Sequence, residues 1–180
     1  MRMIHWFQQL PQQRMDLSQW TPFIQKPWYR NHFMKFVYLL QIIIVLLPPN
    51  IGIGILDINI LLMILIGIIV FLLHESLHIL VIHKKGDISL TFRGVFFWLN
   101  TNAILSKGRF WVFMSLPFIA LSIVPVILSF YVFGELKPIL LFISWFNTFI
   151  SASDIINSFL IVIKPKNTVF YRGYFRIKED

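Results

Sequence analysis

The feature that most constrains this chain is an apolar run, residues 60–73, that passes without a break into His74-Glu75-Ser76-Leu77-His78. Taken from residue 58 to 82, the stretch is long and apolar enough to be a membrane-crossing helix. Ionisable side chains inside such a helix cost roughly 2.5–3.5 kcal/mol each near the bilayer centre on insertion scales, so they are rare and functional. On a helix, positions i and i+4 share a face, and His74 and His78 present two imidazoles to one point. H-E-x-x-H is the spacing that lets two histidines hold one metal ion while the adjacent glutamate takes a proton from a water the metal activates. His74 and His78 are the candidate metal ligands and Glu75 the candidate general base.

Composition sets the frame for that motif. The 180 residues are 57% hydrophobic and only 13% charged, too little charge for a soluble domain. Residues 1–180 read as a single integral membrane domain. Cysteine is absent, which excludes disulfides and thiolate metal ligands. The net charge is +8, but the basic residues flank apolar segments instead of forming one patch interleaved with aromatics. That excludes nucleic acid as a partner and points to anionic lipids and membrane topology. The first 30 residues lack a continuous apolar core and carry Pro11, Pro22 and Pro27, so no cleavable signal peptide is read there.

In chain order, residues 1–31 read as an interfacial segment, with Trp6, Trp20, Phe23, Trp28 and Tyr29 among Arg2, Arg14, Lys26 and Arg30. A first span over 32–47 is expected to stop at Pro48-Pro49, and the second is residues 58–82. Residues 88–99 hold two β-prone runs around Gly94 and predict a hairpin. A third span follows over 110–133, with Pro117 and Pro125 inside as expected kinks. The fourth, 138–163, carries Ser144, Asn147, Ser151, Asp154 and Ser158, a polar stripe at helical period. The basic tail, 164–180, either adds a strand to the hairpin or lies on the lipid surface. The expected fold is therefore an all-α polytopic membrane protein of about four transmembrane helices, with a small β hairpin between the second and third. Basic residues concentrate before the first span, around the hairpin and in the tail, while the two remaining loops hold only Lys137. By the positive-inside rule, both termini and the hairpin are cytoplasmic in a plasma-membrane protein.

An H-E-x-x-H span, a hairpin, the Gly108-Arg109-Phe110 entry to a proline-bearing span and then Asn147…Ser151-Ala-Ser-Asp154 resemble the site-2 protease class of intramembrane zinc peptidases. More closely, the chain resembles a small bacterial family of putative zincin peptidases. The resemblance implies a zinc-dependent intramembrane endopeptidase with one Zn2+ per chain, acting on a membrane protein or peptide. It also implies Asp154 as the third ligand, from a later span. Here Asp154 lies between Ser153 and Ile155, not in the Leu-Asp-Gly context usual in the site-2 class. Depth supports the same assignment: on two straight helices crossing in the same direction, Asp154 and the histidines fall within about 6 Å of each other.

Asn147, two turns before Asp154, is a candidate oxyanion donor, and an asparagine bridging two helices would look the same in sequence. His83 is not expected to be a ligand, since it lies half a turn from His74. His5 and His32 read as interfacial. An edge of the hairpin is a candidate for holding a substrate extended by strand addition. Two other readings stay open: a membrane metal or proton carrier, since intramembrane His, Glu and Asp also mark ion pathways, and a binding module that has lost catalysis.

Overall fold

The computed structural model describes residues 4–7, 18–50, 58–83, 88–93, 96–101 and 103–178. In chain order its elements are β1 (Ile4–Phe7), β2 (Thr21–Pro22), α1 (Pro27–Asn50), α2 (Ile60–Ile82), β3 (Ile88–Arg93), β4 (Phe96–Thr101), β5 (Leu105–Ser106), α3 (Lys107–Phe118), a π-helical segment Ile119–Ile123, α4 (Val124–Ser129), α5 (Leu136–Ile150), α6 (Ala152–Val162), β6 (Thr168–Tyr171) and β7 (Tyr174–Ile177).

The chain is mostly helical, as its apolar runs predict. Among the described residues, two helices are long and apolar enough to cross a membrane: α2 and the continuous rod Lys107–Ser129. The pair α5–α6 makes a third if counted as one span. Helix α1 covers the expected first span and continues through Pro48 and Pro49 to Asn50, where a stop was expected. Its uncharged stretch begins only after Lys35 and is interrupted by Gln41, and what remains is too short for a full span.

Helix α2 begins at Asn59, whose side chain caps the Leu61 N–H at 2.9 Å. It buries only Gly67, Val70, His74, His78 and Ile82. Those positions, three and four apart, make one stripe, and most of the other side chains are apolar and exposed, as suits a lipid-facing helix. The fourth expected span is not straight. The chain leaves helical geometry at Ser151 (φ −80°, ψ 5°), and α5 and α6 meet at a 65° bend. The bend gives α6 its own N-terminus, with Asp154 in its first turn. There the helix's positive end favours a carboxylate.

The hairpin forms as β3 and β4, antiparallel with Leu90 opposite Leu99. Gly94 lies outside the described residues. Strand β1 pairs parallel with β3, so the chain's own N-terminal strand takes one of the two hairpin edges. The tail does not join this sheet. Its strands β6 and β7 form a second antiparallel sheet in the order β2-β7-β6-β5. Their turn, Arg172-Gly173, has positive φ at both residues (42° and 81°), the two-residue connection that matches strand twist. The segment read as interfacial contributes β2 to this sheet, and Trp20 and Phe23 are buried against Tyr171 and Phe170.

Two apolar clusters gather the helix ends. Ile82 at the end of α2 packs with Leu105 and with Phe113 of α3. Phe23, just before α1, packs with Ile161 of α6, Phe170, Phe175 and Phe110. The start of α1, the end of α2, the start of α3 and the end of α6 therefore share one end of the bundle.

Candidate metal centre

Helix α2 supplies the first half of the site. His74 and His78 are both buried, one turn apart, with their Nε2 atoms 3.1 Å from each other. The bend at Ser151 supplies the second half by turning Asp154 toward them. Asp154 Oδ2 lies 3.2 Å from His74 Nε2 and 3.3 Å from His78 Nε2. Among the described residues, His74, His78 and Asp154 are a group that could hold a metal ion.

The outer nitrogens decide what faces inward. His78 Nδ1 is 2.7 Å from Phe113 O, an atom that only accepts, so Nδ1 carries the proton. Asn147 Nδ2 donates to Pro117 O at 3.1 Å and to Ser122 Oγ at 2.8 Å. That fixes the amide orientation and leaves Asn147 Oδ1 to accept from His74 Nδ1 at 2.9 Å. In its neutral form each imidazole then turns its Nε2 lone pair toward the other and toward a carboxylate oxygen. Three lone pairs within 3.3 Å call for a positive charge among them, a shared proton or a metal ion. Zinc bonds of ~2.0–2.1 Å in tetrahedral geometry separate ligand atoms by roughly 3.3 Å. The triangle of 3.1, 3.2 and 3.3 Å fits such an ion, and two imidazoles with a carboxylate are a catalytic-zinc donor set with a place left open.

Glu75, partly buried, lines the same cavity of ≈ 530 Å³ as the three donors. Its other walls include Phe33, Val37 and Tyr38 of α1 and Phe149 of α5, so an apolar chamber opens directly on the donor atoms. A smaller cavity of ≈ 210 Å³ lies under the second sheet and shares Phe113, Met114 and Asn157 with it.

Residues 67–169 match the sequence pattern of a family described as putative zincin peptidases. The chain belongs to that family. The match begins within α2, takes in His74, Glu75, His78, Asn147 and Asp154, and ends in β6. The family implies a zinc-dependent peptidase, which the donor set fits. No curated protein and no solved structure matches the chain.

The structure thus brings together His74, His78 and Asp154, with Glu75 on the same cavity and Asn147 behind His74. Two other histidines stand apart. His32 is half-buried, with Nδ1 on Trp28 O, and His83 is exposed near Leu80 O; the side chain of His5 lies outside the described residues. Sequence reasoning did not identify Phe113 O, Ser122 or Ser151 as parts of the site. Ser151 Oγ is 3.4 Å from His74 Nδ1. Its place on the polar stripe was the available signal. A backbone carbonyl such as Phe113 O leaves none, except through the proline four residues later.

Proposed function

We propose that this chain is a zinc-dependent intramembrane endopeptidase, similar in plan to the site-2 class, that hydrolyses peptide bonds of membrane-associated proteins or peptides. The observation that carries the reading is the convergence of His74 Nε2, His78 Nε2 and Asp154 Oδ2 on one point, on the cavity that Glu75 also lines. Bound there, zinc supplies the Lewis acidity that makes water a nucleophile near neutral pH and polarises a carbonyl. The chain's residues do the rest. Glu75 takes the proton of the attacking water and passes it to the leaving amine. Phe113 O and Asn147 hold the two imidazoles in the form that offers Nε2 inward. Both Asn147 donor contacts are already made, to Pro117 O and Ser122 Oγ, so we assign it the orientation of His74 in place of an oxyanion role. The apolar walls exclude bulk water and suit an apolar substrate segment.

We place the sheet-bearing end of the bundle, with both termini, in the cytoplasm. The shared end of the four helix termini supports this, as do Lys107, Arg109, Lys164 and Lys166 clustered there. A lone cysteine introduced at Glu135 should label from outside intact cells and one at Lys178 should not; the opposite pattern inverts the topology.

The functional test compares wild type with Glu75→Gln, purified without chelator. Wild type should cleave a membrane peptide panel, and the variant should keep its zinc with hydrolysis reduced by at least ~10²-fold, the usual scale for a lost general base. Equal turnover would remove Glu75 from its role. Zinc bound by both with no peptide cleaved by either would favour a metal carrier.

A further inference from the structure

Pro117 lies inside α3 and is fully buried. Its nitrogen carries no hydrogen. In an α-helix each carbonyl accepts from the N–H four residues on, so Phe113 O lacks that donor. Phe113 O is the atom that accepts from His78 Nδ1, at 2.7 Å. A proline ring also crowds the carbonyl four residues before it and tilts it off the helix axis. The carbonyl of Pro117 itself accepts from Asn147 Nδ2 at 3.1 Å, and Asn147 Oδ1 accepts from His74 Nδ1 at 2.9 Å. Both imidazoles are tied to one turn of α3.

We infer that Pro117 is a positioning residue for the metal centre: its missing N–H releases Phe113 O to His78, and its own carbonyl, through Asn147, orients His74. The inference rests on the metal-site part of the proposed function. A second proline in the chain shows the same backbone consequence away from the site. Helix α1 runs through Pro48, and Ile44 O, four residues earlier, accepts from Trp145 Nε1 at 2.8 Å. There the released carbonyl ties α1 to α5 through an indole N–H instead of an imidazole. Pro48 is therefore a control for proline chemistry in a helix without the histidines.

The test uses the full chain in detergent. Zinc affinity is measured by chelator competition, and the protonated ring nitrogens of the metal-free protein by 15N NMR. Pro117→Ala restores an N–H that competes for Phe113 O. It should weaken zinc binding about 10–100-fold, the range seen when support of a metal-bound histidine is lost. It should also end the exclusive Nδ1–H form of His78. Lactic acid at position 117 keeps the alanine methyl but replaces the N–H with an ester oxygen, and should bind zinc as wild type does. Pro48→Ala should also bind as wild type does. Wild-type affinity and an unchanged His78 ring in Pro117→Ala overturn the inference. So does a lactic acid variant as weak as Pro117→Ala, or an equal loss in Pro48→Ala. If Pro117→Ala does not fold, the lactic acid variant decides alone, with retained affinity in support and lost affinity against. Failure of the wild type to bind zinc would instead defeat the metal-site reading, and the ring-nitrogen spectra of the metal-free proteins would still judge the proline.

Discussion

The two halves of the centre are built on opposite principles. Helix α2 is unbroken, exposes apolar side chains around most of its surface and buries one narrow stripe that includes both histidines. The pair α5–α6 is broken, bent by 65° at Ser151, and buries Ser144, Asn147 and Ser151. In α2 the helix period puts both imidazoles on one face, so a motif of five residues specifies their placement, and Phe113 O and Asn147 then set the ring orientation. In α5–α6 the carboxylate reaches the histidines because the helix stops and restarts, and polar side chains brace the place where it does. The first device tolerates change at lipid-facing positions. The second depends on several buried polar groups whose partners must all be present.

That contrast is broken most severely at Asp154. Asp154→Ala removes the only carboxylate that reaches the two Nε2 atoms among the described residues. It should leave the purified chain without stoichiometric zinc, read by elemental analysis. Asp154→Asn keeps an oxygen but loses the negative charge, and should retain zinc more weakly than wild type. Full zinc in both variants would put the third ligand elsewhere and leave the bend without a role at the metal.

A smaller effect is expected one layer out. Asn147→Ala strips His74 Nδ1 of its closer acceptor, with Ser151 Oγ left at 3.4 Å, and leaves Pro117 O and Ser122 Oγ without their amide partner. Zinc affinity should fall about 10–100-fold, measured by chelator competition. A variant with wild-type affinity would mean that His74 is oriented by its own helix and that the bent half gives the metal only Asp154.

The legible and illegible parts of the chain divide along the same line. His74, Glu75 and His78 stand out in sequence because their spacing is the geometry. Asp154 could be paired with them in depth, yet the straight helix assumed for that argument is not the one that forms. The bend at Ser151 has no proline or glycine to announce it, and Ser151 reads in sequence as one more member of a polar stripe. The hairpin of β3 and β4 was readable from two β-prone runs. The second sheet was not, because its strands come from three separate segments and β2 and β5 are two residues each. The aromatics of the first 31 residues looked suited to lipid headgroups, and Trp20 and Phe23 instead pack on the C-terminal strands. Burial between distant segments leaves no periodic trace.

The central claim is that His74, His78 and Asp154 hold a metal ion. Zinc content of the purified full chain, wild type beside His78→Ala, tests it most directly. The expected result is about one zinc per wild-type chain, as a three-ligand catalytic site binds, and a clear loss in His78→Ala with the fold retained by circular dichroism. A wild-type chain free of any transition metal, or a His78→Ala chain holding as much zinc as wild type, would contradict it.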